Sequence, residues 1–292
     1  MVVKILKILA LVIPCSLRRL FIRGLARLGY YLSVRHRLIA LHNLSRSFPG
    51  KNYQEIITIA KKSYTSFARI IAEFPDILYL DKNNFSKWVK IIGLDNYLAA
   101  QRKGRGVILF GAHYGNWEMG NAALALATSP FIFVYRILDN PIMEEIITGV
   151  RSSYGNISLS KKGNMRKMIG LLRQGKTINI LIDQNVFLNE GVFVDFFGRK
   201  AATTSGVALL AIYTGAAVLP VFSSRVPDGR YLLEIGQKVD IIDTGNRDAD
   251  VLANTQKFTM IIEEQIKKNP EQWLWLHRRW KTKPWQARRM NR

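Results

Sequence analysis

The apolar run Val107, Ile108, Leu109 and Phe110 leads directly into Gly111, Ala112, His113, Tyr114, Gly115, Asn116, Trp117 and Glu118. A buried strand ending this way sets His113 at its carboxyl end. Gly111 and Gly115 let the backbone turn, and Asn116 stands where it can cap the next helix. On a continuous helix His113 and Glu118 would diverge by about 140°; a loop followed by a first helical turn can instead bring the carboxylate to the ring. A carboxylate on Nδ1 fixes the tautomer and leaves Nε2 to take a proton from a hydroxyl. The motif contains no serine or cysteine nucleophile, so the hydroxyl would be the substrate's own. The same spacing also fits a loop histidine that merely bonds to backbone.

A sheet must hold this motif. Strands are expected at Val107 to Phe110, Phe131 to Tyr135, Ile178 to Ile182, Val218 to Phe222 and Tyr231 to Ile235. Helices are expected at Trp117 to Ala127, Pro141 to Arg151, Asn164 to Arg173, Ser205 to Tyr213 and Asp250 to Lys268. A helical stretch from Tyr53 to Leu80 precedes them and is interrupted at Pro75. The alternation implies an α/β fold, a central mostly parallel or mixed sheet with helices on both faces, whose sites gather where strands end.

The chain has 292 residues, 48% of them hydrophobic, enough for a real core; Lys+Arg 43 against Asp+Glu 21 gives a net charge of +22. Disordered and collagen-like classes are excluded. Charge gathers at the ends. Through residue 50 there are nine basic residues and no acid, and after Glu271 seven more, again with no acid. Such ends suit a polyanion: nucleic acid, an anionic membrane, or an acidic protein or substrate. The single cysteine, Cys15, requires no oxidising compartment. From Lys4 to Leu17 the chain resembles a secretion signal but lacks a small-x-small cleavage site, and the uncharged run Ile8 to Leu17 is too short to span a bilayer. Leu17, Leu20, Phe21, Leu25, Leu28 and Leu32 then share one helical face while Arg19, Arg23 and Arg27 form a row on the other. This is the pattern of a helix lying in a membrane interface; a core-facing helix with a solvated charged face is the alternative. Residues 1–34 are therefore expected to anchor a single domain of residues 35–292.

The string His113-Tyr114-Gly115-Asn116-Trp117-Glu118 resembles the lipid A late (secondary) acyltransferases, a branch of the glycerolipid acyltransferases whose signature is a histidine, four residues and an acid. The resemblance covers most of the chain. It includes His42-Asn43-Leu44, Phe48-Pro49, Tyr135-Arg136, Asp139-Asn140-Pro141, Asp183-Gln184, Phe196-Phe197-Gly198, Ala201 to Gly206, Gly215-Ala216, Leu219-Pro220 and Trp275 to Pro284. Ile137 and Asn185 depart from the family pattern, which often has proline and an acid there.

The resemblance implies O-acyl transfer with His113 as base and Glu118 as its orienting partner. The donor would be a fatty acyl thioester on acyl carrier protein, or on coenzyme A, and no other cofactor or metal is implied. The acceptor would be a hydroxyl of an anionic lipid A precursor, at the cytoplasmic face of the inner membrane. Arg136 would stabilise the oxyanion or bind phosphate, unless it is a structural ion-pair partner. Asp183 and Gln184, with Asn116, would position substrate groups or cap a turn. Arg278 and Arg279 would likewise bind substrate or stabilise the oxyanion; set among Trp273, Trp275, Trp280 and Trp285, they also suit a membrane interface, an acidic carrier or stacked single-stranded nucleic acid, and the alternative is a charged terminus with tryptophans in the core. His36, His42 and His277 read as structural. Acylation of another glycolipid, such as a mannosylated phosphoinositide with acyl-coenzyme A as donor, is the second enzymatic reading. A non-catalytic basic protein that binds membrane or nucleic acid is the non-enzymatic one; the strand-end motif favours an enzyme and no nucleic-acid partner.

Overall fold

The computed structural model describes Ile5, Ile8 and residues 11–286. Lys4, Lys7, Arg288, Arg289 and Arg292, which contribute to the basic ends, lie outside the described residues. The chain opens with helices α1 (Cys15–Leu32), α2 (Val34–Ser47) and α3 (Tyr53–Glu73). A capping box starts α3: the Asn52 side chain accepts from the Glu55 amide at 3.0 Å while Glu55 accepts from the Asn52 amide at 2.9 Å. Pro75 cannot donate to a continuing helix, and the chain passes into a 3₁₀ turn over Phe74–Tyr79.

Seven strands form the main sheet among the described residues. They are β1 (Val89–Ile92), β2 (Val107–Gly111), β3 (Ile132–Tyr135), β4 (Ile157–Ser160), β5 (Thr177–Leu181), β8 (Ala217–Arg225) and β9 (Tyr231–Ile235), while β6 (Gly191–Phe196) and β7 (Arg199–Thr204) pair as a separate hairpin. The order is β1-β9-β8-β2-β5-β3-β4, parallel throughout except where β8 meets β9. Helices α4 (Leu94–Arg102), α5 (Trp117–Ala127), α6 (Pro141–Ser152), α7 (Met165–Arg173), α8 (Gly206–Thr214) and α9 (Arg247–Lys268) complete the fold.

Strand alternation divides the core in two. Ile108 and Phe110 of β2 pack toward Met168, Leu210 and Phe258 of α7, α8 and α9. Val107 and Leu109 pack toward Tyr97, Met119 and Val150 of α4, α5 and α6. The five expected strands and five expected helices are all present. Four strands were not foreseen: β1 and β4 are edge strands of only four residues, and β6 and β7 form the separate hairpin.

α1 lies on α3 through Arg18 and Tyr30, which are buried, and turns Leu17, Leu20, Phe21, Leu25, Leu28 and Leu32 to the exterior. The core-facing alternative for this leucine face does not hold. Arg23 and Arg27 are exposed, but Arg19 is not a free surface cation: its Nη2 pairs with buried Glu73 at 2.8 Å. Among the described residues no helix is long and apolar enough to cross a membrane.

Candidate active site

β2 and β5 are parallel neighbours with Gly111 opposite Leu181, so the second residue beyond each strand emerges at the same level. Those residues are His113 and Asp183. The His113 ring bonds through Nδ1 to Asp183 Oδ1 at 2.8 Å, and the His113 amide donates to Asp183 Oδ2 at 3.0 Å. Trp273 Nε1 is the second donor to Oδ2, at 2.7 Å. Burial alone would push the Asp183 carboxyl up. The charge of the His113 ring and the three hydrogen bonds outweigh it and hold the group at about 2. An ionised carboxylate fixes the proton of His113 on Nδ1 and leaves Nε2 as an acceptor.

The His113 side chain lines a small, shallow cleft with Ser63, Phe67 and Ile70 of α3, Trp117, and the segment Gln272, Trp273 and Leu274. Gln184 Nε2 lies 3.4 Å from His113 Nε2. A histidine with one nitrogen held by a buried carboxylate and the other open to an apolar cleft can take a proton from a hydroxyl presented there.

The loop between β2 and α5 is pinned on both sides. The Gly115 amide donates to Gln272 O at 3.0 Å and the Asn116 amide to Ser223 O at 3.1 Å. Gly115 has φ +57°, and a Cβ on it would stand 1.7 Å from Ser223 O, so only glycine fits. Asn116 caps α5 as expected, accepting from the Met119 amide at 3.1 Å. Its own Nδ2 donates to Glu73 Oε2 at 3.1 Å, where Tyr231 also donates at 2.6 Å. Glu73 thus links Arg19 of α1 to the loop that carries His113.

Glu118 is not the group on Nδ1. It lies in the first turn of α5, directed at Arg151 of α6, which it binds through Nε at 3.0 Å and Nη2 at 2.5 Å. It also accepts from Trp117 Nε1 at 2.9 Å, and the Trp117 ring stands edge-on to His113 with centroids 4.9 Å apart. Glu118 therefore touches the histidine at one remove. The spacing misleads because the turn between β2 and α5 directs Glu118 away from the ring, while the neighbouring strand supplies Asp183.

The other candidates scatter. Arg136 pairs with Asp139 at 2.7 Å at an exposed position, the arrangement of a local ion pair. Arg278 is exposed. Arg279 is buried and clamps the Gln184 loop onto β7, donating to Gln184 O at 3.3 Å and Ala202 O at 2.5 Å, with Thr203 Oγ1 as a further partner. Trp273, Trp275 and Trp280 are core residues, which corrects their reading as interfacial; Trp285 is exposed. His277 accepts from the Asn185 amide at 3.0 Å, and burial lowers its pKa to about 4.

Sequence reasoning missed Arg151, Trp273 as a donor to the carboxylate, and Glu73. For Glu73 a signal existed: it is an acid embedded in the apolar run Ile70, Ile71, Ala72 and Phe74, and such an acid needs buried partners.

The sequence profile of bacterial lipid A biosynthesis acyltransferases matches residues 1–282. The chain is 31% identical over 252 residues to the lipid A biosynthesis palmitoleoyltransferase of Escherichia coli, covering 86% of this chain and 80% of that protein. It is 30% identical over 268 residues to the lipid A biosynthesis lauroyltransferase of the same organism, covering 89% and 84%. A phosphatidylinositol mannoside acyltransferase of Mycolicibacterium smegmatis is 30% identical over 226 residues, covering 76% and 72%.

Proposed function

Because the chain belongs to the bacterial lipid A biosynthesis acyltransferase family and is an acyltransferase, we propose that it moves a fatty acyl group from acyl carrier protein to a hydroxyl of a lipid A precursor. The observation that carries the chemistry is the His113 ring, held at Nδ1 by Asp183 and open at Nε2 to the apolar cleft. In this reading Nε2 removes the proton of the acceptor hydroxyl as its oxygen attacks the thioester carbonyl. The tetrahedral intermediate collapses with cleavage of the C–S bond, and the thiolate takes the proton back from the imidazolium. Asp183 supports the imidazolium throughout. Gln184 Nε2, beside the base, is the side-chain donor placed to meet the developing oxyanion. No covalent acyl-enzyme is needed. Glu118 acts by position, holding Trp117 against the base.

The exposed leucine face of α1, with Arg23 and Arg27 beside it, docks on the cytoplasmic face of the inner membrane. Arg18 and Arg19 instead fasten α1 to the body: Arg18 donates to Ala72 O at 2.7 Å and pairs with Asp76. The similarity to a phosphatidylinositol mannoside acyltransferase supports a second reading, in which the acceptor is another glycolipid and coenzyme A carries the chain. The greater share of each lipid A relative that the match covers favours the first. Mass spectrometry of lipid A from cells with and without the gene, in a strain lacking other late acyltransferases, tests it. Loss of one secondary acyl chain is expected; an unchanged acyl pattern would refute the lipid A assignment.

A further inference from the structure

The β6–β7 turn places an arginine among cations. Phe197 and Gly198 both have positive φ, 50° and 68°, the geometry of a tight two-residue hairpin, and Arg199 follows at once. Its guanidinium stacks 3.6 Å from the Trp280 ring centroid, and Nη2 donates to Ser47 Oγ at 3.2 Å and Asn43 O at 3.4 Å. Its Nε is buried without a partner. His42 and Arg46 of α2 adjoin in sequence Asn43 and Ser47, the two partners of Nη2, and Lys283 follows three residues after Trp280; all three side chains are exposed. Burial and then Arg46 lower Arg199 to about 10, and burial, followed by Arg199, Arg46 and Lys283, lowers His42.

Among the described residues no carboxylate figures among the charged neighbours of Arg199 or His42. Gathering uncompensated cations around a half-buried guanidinium costs free energy that a bound anion would return. Arg199 is recessed and stacked, which suits a compact dianion with several oxygens more than the spread carboxylates of a protein surface. The cluster is also joined to the catalytic loop. Asn43 donates to Trp275 O and His277 O at 3.0 Å each, and Thr282, next to Lys283, bonds to Asn185. Asn185 follows Gln184, the neighbour of His113.

We propose that His42, Arg46, Arg199 and Lys283 form a phosphate-binding subsite that takes a phosphomonoester of the glycolipid acceptor while its hydroxyl lies at His113. The identity of the acceptor rests on the function proposed above; the affinity for phosphate does not. The test is the double variant Arg46→Ala/Lys283→Ala, whose side chains are exposed, compared with wild type on an acceptor before and after removal of its phosphates. The preference in kcat/KM for the phosphorylated acceptor should fall about tenfold or more, the change carried by the acceptor KM and not the donor KM. In parallel, inorganic phosphate at constant ionic strength should raise the melting temperature of the wild type more than that of the variant. A rise in the donor KM instead would make the patch a carrier-docking surface, and equal losses on both acceptors would make it a general membrane contact; either result overturns the proposal. If the wild type transfers nothing to a phosphorylated glycolipid, the proposed function fails, and the melting shift alone decides the subsite.

Discussion

Replacing Asp183 by asparagine separates the two carboxylates that compete for the role of orienting His113. The substitution preserves shape, so the cost can be worked from the hydrogen bonds. Oδ2 receives two donors, the His113 amide and Trp273 Nε1, and Oδ1 receives one, His113 Nδ1. An asparagine will keep its carbonyl where two donors converge and turn its NH₂ toward Nδ1. That ring nitrogen must then accept, the proton moves to Nε2, and the base becomes a donor facing the substrate. Removing the negative charge beside the ring also takes away the support that an imidazolium would have. The wrong tautomer adds to this, and the comparable change in a Ser-His-Asp triad costs about 10⁴ in kcat. We expect kcat for acyl transfer by Asp183→Asn to fall about 10³-fold to 10⁴-fold, with the acceptor KM little changed. The assay is steady-state transfer from an acyl thioester by purified protein, with near-UV circular dichroism to confirm the fold. A variant that folds and retains more than a tenth of wild-type kcat would refute the orienting role of Asp183.

Glu118→Gln keeps two acceptor contacts in shape but uncharges a pair whose side chains are 7% and 11% exposed. We expect unfolding free energy to drop by about 3 kcal/mol and kcat to drop far less than in Asp183→Asn, measured by denaturant titration and activity on the same preparation. Equal kcat losses in a stably folded Glu118→Gln would return the orienting role to Glu118. His277 is neutral in the folded chain down to about 4 but protonates near 6.5 when unfolded. Between those values the unfolded chain binds the extra proton, so stability falls as pH drops through the window, by about 3 kcal/mol in all. His277→Gln should flatten that part of the stability profile, and an unaltered slope would show that another group titrates there. Leu20→Glu/Leu25→Glu should abolish sedimentation with vesicles of anionic phospholipid while the melting temperature stays within a few degrees, since both side chains are exposed. Retained vesicle binding would remove α1 as the anchor. Gly115→Ala, with its Cβ 1.7 Å from Ser223 O, should displace the loop and cost several kcal/mol, read as a loss of cooperative unfolding near the wild-type midpoint.

Much of this site was legible because strong signals coincide. The β2 run is apolar on both faces, a mark of a central parallel strand, and glycines with a helix-capping asparagine define the turn after it. Asp183 was visible as a strand-end acid, but its partnership with His113 was not. That pairing depends on β5 being the neighbour of β2 in register, a long-range fact that local spacing does not encode. The same holds for Arg279 and the tryptophans. Their alternation with cations matches an interface, yet β7, α3 and the Gln184 loop close over them and turn the segment into core. The pattern of α1 leaves two readings of its leucine face open, one for a membrane and one for the core, and only the exposure of Leu17, Leu20, Phe21, Leu25, Leu28 and Leu32 removes the second. Arg19, in the row opposite, belongs to Glu73, whose role as a buried hub depends on tertiary contacts from α1, the β2–α5 loop and β9.

Acyl transfer in this mechanism turns on deprotonation of the acceptor hydroxyl by His113 Nε2. Its most direct test is the mass of the glycolipid product formed by purified wild type and His113→Ala from a defined acyl carrier protein thioester and a phosphorylated lipid A precursor. Wild type should add the mass of one acyl chain, and His113→Ala, folded and vesicle-bound, should add it at least about 10³-fold more slowly. Product formation by His113→Ala at a rate close to wild type would show that His113 is not the base.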